Sequence, residues 1–279
     1  MKPGIDYLTL QDTELKKVHK ELLSLLIEVD RICGKYDIPY YLSYGTLIGA
    51  VRHKGFIPWD DDLDIQMLRK DYDRFCEVCK QELDGKKFFL QTQKTDKHYN
   101  WVYGKLRLKN TSFIRAGQEH IKQHDGMFLD ILPLDNMPVN KCKHKIALFI
   151  CKLCRKVLWS QVGKKAESNN IMRMLYKVLS FIPRSFAIFI FEFFAKLDND
   201  KETDFLVSNN TFCQIYKREW YTERIKIDFE GYTFWGPKKY DEILSTVYGD
   251  YMKLPPLEER NGHCYASYIR FSDGSELKL

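Results

Sequence analysis

The segment Gly126-Met127-Phe128-Leu129-Asp130-Ile131-Leu132 constrains the fold most. It is apolar almost without a break, the pattern of a strand covered on both faces rather than one lying at a sheet surface. Such a strand belongs inside a sheet with helices packed against it, and Pro133 is expected to end it. The surrounding elements agree. Leu15, Val18, Leu22, Leu25, Leu26, Val29 and Ile32 recur at helical spacing over 15–35, and Tyr72, Phe75, Val78 and Cys79 do so over 69–83. Between and after these helices come strand patterns at 39–44, 63–67, 88–92 and 101–108. Strands alternating with helices predict an α/β (α+β) fold with a mixed sheet.

The second half differs. Residues 141–160 and 171–197 read as apolar helices studded with Lys and Arg, joined by a polar linker at 163–170. Glu192 and Pro183-Arg184 interrupt the second, so no uncharged run is long enough to span a bilayer. Basic, aromatic-rich helices of this kind are candidates for peripheral membrane contact, with helical core packing as the plainer alternative. The first twenty residues hold no apolar leader segment, which predicts a cytoplasmic protein, at most resting on the inner membrane face. In that setting the eight cysteines are expected to be reduced, and Cys76-x-x-Cys79 and Cys151-x-x-Cys154 to pack as small apolar side chains rather than to bind zinc. The net charge of +6 suits anionic ligands and is too small to imply nucleic acid.

Chemistry concentrates in Trp59-Asp60-Asp61-Asp62-Leu63-Asp64-Ile65. Asp62 and Asp64 are two apart at the start of a strand, so both carboxylates leave one face and can grip one hard cation, Mg²⁺ or Mn²⁺. Asp60 and Asp61 rank behind them as supporting groups. Upstream, Tyr44-Gly45-Thr46 turns a strand into a helix, where backbone N–H groups of Gly45 and Thr46 can receive an anion. Arg52, His53 and Lys54 follow that helix, and Lys105 and Arg107 share one face of a later strand; all are candidate phosphate ligands.

The order strand, Gly-Thr turn, helix, strand with Asp-x-Asp resembles the polymerase-β-like nucleotidyltransferase fold. That resemblance implies a third carboxylate on a later strand, for which Asp130 is the candidate. More narrowly, Tyr41-Leu42-Ser43-Tyr44-Gly45-Thr46-Leu47-Ile48-Gly49-Ala50-Val51-Arg52-His53-Lys54-Gly55-Phe56-Ile57-Pro58-Trp59-Asp60-Asp61-Asp62-Leu63-Asp64 resembles the LicD family of phosphocholine transferases almost letter for letter. Gly126 through Asp135 resembles that family's Gly-x-φ-φ-Asp-Ile-φ-Pro-φ-Asp element, where φ is apolar. Tyr248-Gly249-Asp250-Tyr251-Met252-Lys253-Leu254-Pro255-Pro256, with Glu259-Arg260 and His263, is similar to its C-terminal signature.

The resemblance, which extends to fukutin and fukutin-related protein, implies transfer of a phospho-alcohol from a CDP-activated donor such as CDP-choline to a hydroxyl of a glycan. Teichoic acid, lipopolysaccharide and capsule are the acceptors it suggests, with CMP released and a divalent cation required. Asp62, Asp64 and Asp130 would hold the metal and carry catalysis, Asp130 doubling as general base, and His263 would join the nucleotide site by motif alone. Trp59, Trp101 and Tyr103 are candidate faces for a quaternary ammonium. The expected organisation is a nucleotidyltransferase-like core over 1–140, a helical insertion over 141–200 and a C-terminal part over 201–279 completing the catalytic domain. Two other readings stay open: synthesis of an activated donor from CTP, and a catalytically silent glycan- or membrane-binding adaptor.

Overall fold

The computed structural model describes residues 6–210, 213–260 and 264–279. Helix α1 (Asp12–Tyr36) opens the chain; the Gln11 N–H donates to the Glu14 carboxylate at its N-terminus. Then follow β1 (Tyr41–Leu42), the short α2 (Tyr44–Ile48) running on as a wider turn over Gly49–His53, β2 (Asp64–Leu68) and α3 (Arg69–Glu82). Strands β3 (Phe88–Gln91), β4 (Gly104–Leu108), β5 (Ser112–Arg115) and β6 (Phe128–Asn136) complete this part. The sheet runs β1-β2-β6-β4-β3, with β2 and β6 parallel and the other pairs antiparallel.

Period-two alternation gives this sheet two faces of opposite character. Ile65, Met67, Leu106, Leu129 and Ile131 pack with Leu22, Leu25, Val29 and Phe75 of α1 and α3 in the main core. The other face carries Asp64, Asp130, Lys105 and Arg107. Over it lie α4 (Lys141–Ala166) and α6 (Arg184–Ala195), whose Cys151, Cys154, Val157, Leu158, Ala187 and Phe191 form a second cluster with Val102, Tyr103 and Leu132, while α5 (Asn170–Leu179) packs on α4.

Three expectations are corrected. The apolar strand does not stop at Pro133; it continues to Asn136. The Asp130 N–H donates to Leu63 on the β2 side, so alternation turns the Pro133 nitrogen to the other edge. There β4 pairing has ended at Ile131, and pairing with β7 (Phe205–Val207) begins only at Asp135, so no ladder bond is lost. The helix read as 171–197 is two helices bent by 92° at Ser180–Pro183, where proline caps the second. And α4 runs through Gly163 to Ala166, because a side chain at 163 would meet the Tyr176 ring at 2.4 Å and glycine lets α5 pack there.

The C-terminal part brings β8 (Ile215–Lys217) beside β7, a hairpin of β9 (Arg224–Phe229) and β10 (Tyr232–Pro237), α7 (Tyr240–Tyr248), β11 (Ala266–Arg270) and β12 (Glu276–Lys278). Strand β11 pairs with β5 and with β12, tying the chain end to the first half. The cysteines are unpaired; Cys79 is buried in the main core with Cys76 packed against it, and Cys151 and Cys154 are buried in the second cluster.

Candidate active site

Register aligns the central residues. Asp64 of β2 lies opposite Asp130 of β6, Asp130 opposite Lys105 of β4, and Lys105 opposite Gln91 of β3. Neighbouring strands lie roughly 4.8 Å apart, so these side chains form one transverse row on one face. The Lys105 ammonium pairs directly with Asp130, and both are buried. Asp62 stands in the extended approach to β2, two residues before Asp64.

Local hydrogen bonds fix the approach. The Asp64 N–H donates to Thr46 Oγ1 at 2.8 Å, and the Ser43 N–H donates to the Asp64 carbonyl at 3.1 Å. The Gly-Thr turn is thereby tied to the strand that carries the acids. Gly45 itself faces Asp60: a Cβ there would lie 2.6 Å from Asp60 Oδ2, which leaves only glycine room.

Charge is concentrated. Burial and the negative field of Asp62, Asp130 and Asp60 hold Asp64 well above the usual carboxylate range. Burial and Asp62 push Asp61 up to about 7 against the opposing pull of Arg115, and burial with Asp62 and Asp61 raises Asp60 strongly. Burial brings Lys105 down to about 7 despite Asp130, with Arg115 and Arg107 adding repulsion. Arg115 is held above its ordinary value although burial opposes it, since Asp130, Tyr103, Asp61 and Asp62 surround it.

Five carboxylates in one field exceed the countercharge of Lys105 and Arg115, and hard oxygen donors of this kind suit Mg²⁺ or Mn²⁺. Among the described residues no three acidic, histidine or cysteine side chains close a chelate by themselves. A cation here would therefore draw further ligands from water and substrate phosphate, as Mg²⁺ commonly does.

Beyond the acids lies a basic floor. Lys105, Arg107 and Arg115 point their cationic groups at the Phe128 ring, 3.5, 4.8 and 5.2 Å from its centre. Arg107 is further held by Gln91 Oε1 at 2.7 Å and the Gly126 carbonyl at 2.5 Å. These three residues line a cavity of about 190 Å³. Trp101 separates it from a second cleft of about 460 Å³ lined by Trp101, Tyr103, Trp159 and Tyr176 with Lys152, Arg155 and Lys156 of α4.

The other candidates fall elsewhere. Arg52 donates to the Tyr251 carbonyl at 2.6 Å and to His53 Nε2 at 2.9 Å, so it fastens the turn after α2 to the C-terminal signature. Arg260 lies 5.5 Å from the Trp59 ring centre, in the same neighbourhood. Lys54 is exposed, and its carbonyl accepts from the Glu230 N–H. His263 lies outside the described residues. The Tyr103 and Trp101 rings already face Lys105, at 5.4 and 6.0 Å. Sequence analysis missed Arg115, because strand β5, which carries it, is four residues long and shows little pattern. Tyr248, singled out in the sequence as part of the C-terminal signature, feels the field of the acids: partial burial and then the charges of Asp64, Asp60 and Asp62 raise its phenol.

Comparison with known proteins gives a consistent result. Residues 37–149 match the family described as "LicD/FKTN/FKRP, nucleotidyltransferase domain". The lipopolysaccharide cholinephosphotransferase LicD of Haemophilus influenzae is 32% identical over 275 residues, covering 92% of this chain and 96% of the relative. An uncharacterised protein of Rickettsia typhi is 40% identical over 81 residues, 27% of this chain and 26% of its own length. A second, from Rickettsia prowazekii, is 44% identical over 71 residues, 23% of this chain and 27% of its own.

Proposed function

Because the chain belongs to the LicD/FKTN/FKRP nucleotidyltransferase-domain family, we propose that it transfers phosphocholine, or a related phospho-alcohol, from a CDP-linked donor to a hydroxyl of a lipopolysaccharide-type glycan, releasing CMP. At the level of class the chain is a transferase acting on phosphate groups. The observation that carries the finer reading is the single row of Asp64, Asp130 and Lys105 across three paired strands, with Asp62 beside it.

In this reading Asp62, Asp64 and Asp130 would hold one or two Mg²⁺ or Mn²⁺ ions, which when bound neutralise charge on the donor diphosphate. Lys105, Arg107 and Arg115 bind the same diphosphate from the cavity they line and keep it from rotating. Asp130 accepts the proton of the acceptor hydroxyl, whose oxygen bonds to the phosphorus bearing the alcohol. The bond from that phosphorus to the oxygen bridging the two phosphates breaks, and CMP departs with the bridging oxygen. Lys105 keeps Asp130 oriented toward the row through their ion pair. The aromatic and basic cleft beyond Trp101 receives the acceptor sugar, since flat rings take pyranose faces and Lys152, Arg155 and Lys156 take its phosphate or carboxylate groups.

The test is incubation with CDP-choline, CDP-ethanolamine, CDP-ribitol and CDP-glycerol and Mg²⁺, with and without glycan. CMP release that requires one CDP-alcohol and a glycan is expected. Pyrophosphate release from CTP instead would replace this reading with donor synthesis.

A further inference from the structure

Helices α4, α5 and α6 each leave an apolar stripe uncovered. On α5 the exposed residues are Ile171, Met174, Leu175 and Val178, at spacings of three, four and seven. On α6 they are Phe186, Phe189 and Phe193, and on α4 Ile146, Phe149 and Leu153, again at helical spacing. Phe181, 86% exposed, and Ile182 occupy the corner between α5 and α6. The opposite faces are ordinary core: Ala187, Phe191 and Ala195 of α6 are buried against α4. A soluble surface rarely gathers so many large apolar side chains, and three regular stripes on packed helices are not an accident of composition.

The same segment is basic. Residues 141–196 contain twelve Lys or Arg and two acids, Glu167 and Glu192, a local charge of +10 in a chain whose total is +6. Lys141, Lys145, Lys152, Lys156, Lys165 and Lys177 are exposed. Apolar stripes flanked by lysines match a surface that is greasy within and negative at its edge, which is an anionic bilayer. Among the described residues no single helix is long and apolar enough to cross a membrane, and α5 and α6, which together have the length, are bent by 92°. Helices so bent suit lying in the headgroup region rather than passing through it.

We propose that α4, α5 and α6 form an interfacial docking surface for an anionic phospholipid membrane, with Ile171, Val178, Phe181 and Phe189 entering the bilayer and Lys141, Lys145, Lys165 and Lys177 pairing with phosphates. Helix α4 carries both the Phe149 and Leu153 stripe and the Lys152, Arg155 and Lys156 wall of the cleft beyond Trp101. Docking would thus set that cleft at a lipid-borne substrate, a consequence that rests on the proposed transfer reaction; the docking itself does not.

The experiment is co-flotation of the full chain with vesicles of phosphatidylcholine alone and with about 30% phosphatidylglycerol added to supply negative charge. Binding to the anionic vesicles is expected, weakening as salt rises, with little binding to phosphatidylcholine alone. Phe181→Asp with Phe189→Asp should lower partitioning by about tenfold or more. Circular dichroism and CMP release from soluble substrates should stay at wild-type levels, which separates docking from folding. Absence of flotation with anionic vesicles overturns the proposal, and so does undiminished flotation of the folded double variant. Concentration-dependent self-association that these substitutions abolish, without vesicle binding, would instead assign the face to a second copy.

Discussion

The sheet and the helical segment break the usual distribution of side chains in opposite directions. On the sheet, charged groups are buried: Lys105, Arg107 and Asp130 are each under a tenth exposed, on strands locked by register. On α6 and at its corner with α5, phenylalanines face solvent, Phe189 at 66% and Phe181 at 86%. Neither arrangement is what folding stability alone would select. A buried charge is tolerated when ligand or ion completes it, and an exposed ring when another phase covers it. The two departures are the grounds for the proposed transfer site and the proposed docking face.

Outside the acidic residues themselves, the largest effect should come from the basic floor. Lys105→Met is expected to lower CMP-release efficiency by about 10²–10³-fold, as for loss of one fixed donor to developing charge, with the fold intact by circular dichroism. A fall in stability with activity unchanged would make Lys105 a structural partner of Asp130 only. Next is a buried pair that serves structure. Arg69 donates to both Asp135 oxygens, at 2.7 and 2.9 Å, and Asn199 and Asn209 complete the shell. Arg69→Met leaves a buried carboxylate unpaired and should cost about 3–5 kcal/mol in denaturant unfolding.

Within α6 the comparison can be made on one element. Phe191→Ala empties a core site and should destabilise by about 3 kcal/mol or more. Phe189→Ala, two residues away and exposed, should stay within about 0.5 kcal/mol. Equal losses would mean that the exposed ring is packed after all. The smallest expected effect concerns His19, whose imidazole burial holds below its ordinary value, with Nε2 2.7 Å from the Asp60 carbonyl. The unfolded chain then binds the proton more readily, so this contribution to stability is complete above the unfolded value of 6.5 and is lost as pH falls through it. His19→Gln should flatten the thermal midpoint between pH 7.5 and 5.5 relative to wild type; an unchanged slope would remove His19 from the acid response.

Much of the site was legible because it rests on strand periodicity. Leu63-Asp64-Ile65 alternates, and Asp130 interrupts an apolar run, so each acid announces the side it takes. Less legible was anything decided by a neighbour. Pro133 stays in β6 only because the strand beside it has ended, and the interruption at Pro183-Arg184 does not reveal the 92° bend it makes between α5 and α6. The β9–β10 hairpin is a different case. Arg224-Ile225-Lys226-Ile227-Asp228-Phe229 alternates plainly and ends at Glu230-Gly231, both at positive φ, a two-residue hairpin turn to which sequence analysis assigned no strand. The role of Asp135 was hidden too: it reads as part of a family motif, yet its partners Arg69, Asn199 and Asn209 come from three separate segments.

The central claim is that Asp64 and Asp130, side by side in one row on the adjacent strands β2 and β6, form the phosphate-transfer centre. Quenched single-turnover release of CMP from the donor that the CDP-alcohol panel selects tests it most directly, comparing wild type with Asp64→Asn and Asp130→Asn. The account predicts divalent-dependent CMP release by wild type and loss of about a thousandfold or more in each variant with native circular dichroism. Wild-type rates in either folded variant would contradict it.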